Sequence, residues 1–128
     1  MWTLNYNQSI NISHFLCLDY DSRDTKTHGH ILNVNINLFA TRLNPHNMII
    51  DTNLIKEVVD RLDHNNTNEY MRVNNIKGNA TLENIILIFK TQLTLLLSSV
   101  NEDYNTDVRI LDIRLKDETG REVIYNMR

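Results

Sequence analysis

Apolar and polar residues alternate along this chain with a period that changes from one segment to the next, and each change marks an element. From Trp2 to about Phe15, the residues Trp2, Leu4, Tyr6, Ile10, Ile12 and His14 share one parity. That is the period-two signature of a half-buried strand. The polar stretch Leu18 to Thr27 reads as a loop. Alternation then resumes more cleanly, with Leu32, Val34, Ile36 and Leu38 on one face and Asn33, Asn35 and Asn37 on the other.

After the Asn44-Pro45 turn the spacing switches to three and four residues. Leu54, Ile55, Val58, Val59 and Leu62 predict a helix from Asp51 to about Leu62, with Asp51 or Thr52 as its cap. Asp63 to Asn79 reads as a mostly polar connection. Thr81 then caps a longer helix whose apolar face runs through Leu82, Ile85, Ile86, Phe89, Leu93, Leu96, Leu97 and Val100. Glu83 in its first turn suits the helix dipole. A polar loop, Asn101 to Thr106, leads to a strand from about Asp107 to Lys116 with Leu111, Ile113 and Leu115 on one face. Thr119-Gly120 turns the chain into a last strand, Glu122 to Asn126. The order strand, strand, helix, helix, strand, strand predicts an α+β fold with both helices on one face of an antiparallel sheet. Four strands leave two open edges, which favour pairing with further copies, so a homo-oligomer is expected.

Composition narrows the function classes. At 128 residues the chain fits one domain, 1–128. A formal charge of −3 without a basic stripe argues against a nucleic-acid partner. The single cysteine cannot close an intrachain disulfide, so a stapled secreted scaffold is excluded. The first ten residues lack the basic start and apolar run of a signal peptide, and Glu83, Lys90 and several hydroxyls interrupt the apolar stretch Leu82 to Val100. No membrane partner is expected, and the cytoplasm is the expected compartment. The abundance of asparagine is read as the imprint of an AT-rich genome.

The chemistry concentrates in histidines. His28 and His30 stand two apart at the start of a strand, on the parity of Leu32 and Val34, so both face the apolar side. His14 ends the preceding strand on its own apolar parity. If those strands form a hairpin, three imidazoles converge at one end of the sheet, a catalytic zinc pattern with an open fourth position. A His-x-His pair alone recurs by chance; the third histidine of matching parity gives it weight. His46 and His64 fit this cluster less well. Asp63-His64 reads either as a proton shuttle, with the carboxylate fixing the tautomer, or as a solvated helix terminus. Glu83, Asp117 and Glu118 are carboxylates that say little by themselves.

Taken in order, the pieces resemble the family of 6-pyruvoyltetrahydropterin and 6-carboxytetrahydropterin synthases, over about Ile10 to Tyr125. The carrying motifs are Ile10-Asn11-Ile12-Ser13-His14-Phe15-Leu16, His28-Gly29-His30, Asn47-Met48-Ile49-Ile50-Asp51-Thr52, Leu62-Asp63-His64, Ala80-Thr81-Leu82-Glu83-Asn84, and Asp117-Glu118 followed by Tyr125. The resemblance implies a tunnel fold of ββααββ subunits whose sheets join into a barrel, as trimers stacked into hexamers. It implies Zn2+ on His14, His28 and His30 and a zinc-dependent lyase acting on 7,8-dihydroneopterin triphosphate. Asp63 and His64 would move protons, and Thr81 and Glu83 would line the pterin pocket. A carboxylate would meet the pterin ring; by spacing to Tyr125 it is Asp117, with Glu118 one step off on the opposite strand face.

This sequence departs from the family where a cysteine is usual, four residues before His28-Gly29-His30. Asp24 stands there, and the only cysteine, Cys17, follows His14 by three residues on the opposite parity. An acid at that position is similar to a branch of the family that cleaves the side chain to 6-hydroxymethyl-dihydropterin for folate synthesis. Compact members of the family of about this size commonly make 6-carboxytetrahydropterin, a precursor of deazaguanines, and that is the product the resemblance implies. Pyruvoyl-tetrahydropterin formation, the folate-directed cleavage through Asp24, and a catalytically weak pterin- or metal-binding homologue are the alternatives.

Overall fold

The computed structural model describes residues 1–127. Strand β1 spans Trp2–His14 and strand β2 spans His28–Ala40; they pair antiparallel along their whole length, from Trp2 opposite Ala40 to His14 opposite His28. Register is fixed because a slip of one residue would turn Ile10, Ile12, Leu32, Val34, Ile36 and Leu38, all buried, onto the wrong face. Helix α1 covers Thr52–Asp60, capped by the Asp51 side chain on the Asn53 amide. Helix α3 covers Leu82–Tyr104, capped by Thr81 on the Asn84 amide. Strands β4 (Arg109–Asp117) and β5 (Glu122–Asn126) complete the second hairpin.

The connection after Asp63 is more ordered than its polarity suggests. It holds a two-residue strand β3 (Asn65–Asn66), parallel to β1, and a two-turn helix α2 (Thr67–Val73). Among the described residues the sheet therefore has five strands in the order β3-β1-β2-β4-β5, and three α-helices accompany it rather than two. Two further boundaries differ from the expectation. Helix α3 runs on through the polar Asn101, Glu102 and Asp103 to end at Asn105 in the left-handed conformation (φ 52°). In β4 the register with β2 shifts between Asn37 and Leu38, so that Ile110, Ile113 and Leu115 are buried while Leu111 is half-buried. A bulge of this kind breaks the strict period of two.

The core lies between the sheet and α3, where Ile85, Ile86, Phe89 and Leu93 are almost completely buried. Each such side chain contributes roughly 1.5–3 kcal/mol. Helix α3 is long and apolar enough to cross a bilayer by length and composition alone, but its buried face is the core face. The other face of the sheet is polar. Asn5, Asn7, Asn35 and Asn37 hydrogen-bond to one another across β1 and β2, and Asn37 continues to Asp112.

Candidate metal centre

The β1–β2 hairpin ends on the histidines. Ile12 pairs with His30 and His14 with His28, which puts three imidazoles on the core side at one end of the sheet. Their ring centroids are 4.6, 4.9 and 5.1 Å apart, and each ring offers one nitrogen within 4.8 Å of the others.

The opposite nitrogen of every ring is already held. Nδ1 of His14 donates to the Ala80 carbonyl (2.6 Å), Nδ1 of His28 to the Lys26 carbonyl (2.7 Å) and Nδ1 of His30 to Glu118 Oε1 (2.8 Å). Carbonyl and carboxylate oxygens only accept, so each neutral ring carries its proton on Nδ1 and keeps the Nε2 lone pair free. Nε2 of His14 is buried without any hydrogen-bond partner, a costly state for a polar atom. Burial, seconded by the two neighbouring imidazoles, lowers the His14 pKa against the raising effect of the Ala80 carbonyl, so the ring stays neutral. Three imidazole nitrogens within 4.8 Å of one another, the buried one without a partner, fit a divalent ion of the zinc type.

The Phe15–Thr27 connection folds back over the cluster. Leu16 N–H donates to the Asp24 carbonyl (2.7 Å), and a 3-10 turn at Arg23–Thr25 holds Asp24 with its Oδ1 3.7 Å from His28 Nε2. Two side-chain amides clamp the strand exit as a neighbouring strand would. Asn68 bonds both the N–H and C=O of Phe15, and Asn79 does the same for Cys17. Cys17 is exposed. Asp24, His14, His30, Thr81, Glu83, Arg121 and Val123 line one cleft of about 160 Å3.

Asp117 and Glu118 divide differently from the expectation. Asp117 is buried beneath the β4–β5 turn, where Oδ1 accepts from the Thr119 amide and hydroxyl and the Arg121 amide, and Oδ2 from Arg121 Nε. Burial alone would raise its pKa, but these bonds together hold it at about 2. Three donors crowd Oδ1 and one meets Oδ2, and the side chain is wholly buried beneath the turn. Glu118 lies just past the strand end, outside its alternation, and reaches His30 Nδ1 and the Ile31 amide (3.1 Å). Sequence reasoning on strand parity missed this contact.

Asp63 and His64 sit elsewhere. His64 has a left-handed backbone (φ 59°), its amide bonds the Asn11 carbonyl beside β3, and its side chain is 75% exposed. Asp63 Oδ1 accepts from the Asn11 amide (2.8 Å) and lies 3.0 Å from His64 Nδ1. The pair lies beside the edge strand β3 and is not among the residues lining the cleft.

Comparison with known proteins agrees with this geometry. The chain superposes on Caenorhabditis elegans 6-pyruvoyl tetrahydropterin synthase with a TM-score of 0.70 at 17% identity, covering 99% of this chain and 96% of that one. It superposes on a Plasmodium vivax 6-pyruvoyltetrahydropterin synthase, in a form with a glutamate catalytic residue changed to alanine, with a TM-score of 0.64 at 15% identity, covering 98% of both chains. A Pyrococcus abyssi protein provisionally named 6-carboxy-5,6,7,8-tetrahydropterin synthase is 36% identical over 63 residues. That stretch is 49% of this chain and 37% of the relative, so the match spans little more than a third of the relative's length. The fold is the α+β tunnel fold of these synthases. The family model described as 6-pyruvoyl tetrahydropterin synthase matches residues 3–127, and the chain belongs to that family.

Proposed function

We propose that the protein is a zinc-dependent lyase acting on 7,8-dihydroneopterin triphosphate. The observation that carries this reading is the convergence of three Nδ1-anchored imidazoles, His14 with its buried Nε2 unpartnered, two of which (His14 and His30) line a cleft with Thr81, Glu83 and Asp24. His14, His28 and His30 hold the ion, which supplies Lewis acidity to the hydroxyls of the substrate side chain. Thr81, the cap of α3, and Glu83, in its first turn, offer a hydroxyl and a carboxylate to the polar edge of the pterin. Asp117 builds the turn that carries Arg121 to the cleft wall and Glu118 to His30. Asp63 orients His64 for proton transfer, and because that pair does not line its own cleft, a neighbouring copy in a homo-oligomer receives it.

The name carried by the Pyrococcus abyssi relative supports 6-carboxytetrahydropterin as the product. A second reading rests on Asp24. Its carboxylate stands beside His28 in the cleft, whereas Cys17 is exposed and fastened by its backbone to Asn79. The Plasmodium vivax relative also has a glutamate as a catalytic residue. A carboxylate base at this place suits side-chain cleavage to 6-hydroxymethyl-dihydropterin. The test is incubation of the zinc-loaded protein with 7,8-dihydroneopterin triphosphate, following triphosphate release and identifying the pterin by mass spectrometry. A 6-carboxy product supports the first reading and a 6-hydroxymethyl product the second. Pterin binding without turnover leaves a binding homologue and overturns both.

A further inference from the structure

Of the three oxygens that tether the imidazoles, two are backbone carbonyls and one belongs to a side chain. The carbonyls of Ala80 and Lys26 come with the fold, whatever residues stand there. The third tether, to His30, exists only because residue 118 is a glutamate. It is also the only charged one.

We propose that Glu118 is the positioning residue of this centre, holding His30 in the Nδ1–H tautomer with Nε2 turned toward His14 and His28, rather than an anchor for the pterin ring. This rests on the reading of the histidines as metal ligands. Both carboxylate oxygens of Glu118 are engaged on β2: Oε1 with His30 Nδ1 at 2.8 Å and Oε2 with the Ile31 amide at 3.1 Å. A bidentate hold on two adjacent residues of one strand leaves the carboxylate little freedom to swing. The backbone beneath it is equally fixed. Asp117 pairs with Leu32 across the sheet, and its carboxylate ties down Thr119 and Arg121. Gly120 closes the turn at φ 92°, a conformation that side chains resist. The His30 side chain is only 9% exposed and that of Glu118 40%, so the tether lies at the solvent edge of the site.

An anionic acceptor on the far nitrogen of a ligating imidazole fixes its tautomer and raises its basicity, and its removal commonly costs about 10- to 100-fold in metal affinity. Glu118→Ala is therefore expected to weaken zinc binding by about that factor, and Glu118→Gln, which keeps an accepting oxygen but not the charge, by about tenfold or less. The affinities are read by titrating the zinc-free protein against a chromophoric chelator. Nitrogen-15 spectra of the zinc-free protein at pH 8 give a second readout that needs no metal. They should find His30 in the Nδ1–H form in the parent chain and in Glu118→Gln, and a mixture of tautomers in Glu118→Ala. If Glu118→Ala does not fold, Glu118→Met, which keeps the bulk and removes both accepting oxygens, is read in the same two ways with the same expected outcomes. Zinc affinity within twofold of the parent, with a single unchanged His30 tautomer, overturns the proposal; weakened pterin binding alongside would give Glu118 to the substrate. Failure of the parent chain itself to bind zinc, with the tautomers as expected, would overturn the metal reading and leave the positioning contact standing.

Discussion

The three-histidine end of the hairpin and the Asp63–His64 corner are built from the same residue types, yet they are finished to different degrees. At the first, every ring has a fixed nitrogen and a free one, and the free ones meet within 4.8 Å. At the second, His64 stands 3.0 Å from the Asp63 carboxylate with its side chain 75% exposed, and neither residue lines the cleft. Long antiparallel pairing explains the contrast. Between Trp2 and Ala40 thirteen residue pairs lock the register, so the histidines at its end arrive together. His64 hangs from a two-residue strand at the sheet edge. One chain thus gathers three imidazoles at one end of its sheet and leaves the Asp63–His64 pair apart from them, outside the cleft.

The largest effect expected on this comparison comes from His28→Ala. Stoichiometric zinc should disappear while the chain remains folded, because His28 is partly exposed at a strand start and outside the core; metal analysis of untagged protein together with circular dichroism checks both halves. Retained zinc would remove His28 from the ligand set. Next, His64→Ala should leave zinc content intact and lower turnover by about 100- to 10,000-fold, the usual worth of a general acid or base. Co-expression of His64→Ala with His28→Ala subunits should restore part of the activity, since some clefts then combine an intact ligand set with an intact His64. No restoration would mean that each chain uses its own His64.

Asp24→Ala should cost turnover about 100-fold, and Cys17→Ala no more than about threefold, if the carboxylate beside His28 has taken over as the base. The reverse ranking in steady-state kinetics would return that role to Cys17. The smallest effect concerns stability alone. The folded-state pKa of Asp117 is depressed to about 2 from an ordinary 3.8. Its contribution is therefore present above about pH 4 and is lost as the pH falls through 2. Asp117→Asn should lower the urea midpoint at pH 6 and narrow its gap to the parent near pH 2; a gap that does not change with pH would mean that the charge contributes nothing.

Much of the fold was legible because period two and period 3.6 are strong signals over thirteen residues of strand or five turns of helix. Helix α2 was not, since only Thr67 and Met71 in it are buried and two turns are too few to establish a period. A weaker signal was present: Asn66 caps Glu69, the pattern of a capping residue followed three positions later by an acid. Half of the site was legible by the same logic, because parity alone aligns His14, His28 and His30. Parity failed at Glu118 because the residue lies beyond the end of β4, where side chains no longer alternate. It also gave no hint that Asn68, Asn79 and Asn101 carry structural tasks, since a side-chain amide mimics a peptide only where the backbone happens to need one.

Three neighbours in sequence, Asn79, Ala80 and Thr81, fasten respectively the hairpin exit at Cys17, the ring of His14 and the first turn of the long helix. Whatever steadies that imidazole also steadies both other moorings. Seating an ion should accordingly slow amide hydrogen exchange in the opening turn of α3 and at Cys17 together, making a helix end that contributes no ligand a reporter of whether the centre is filled.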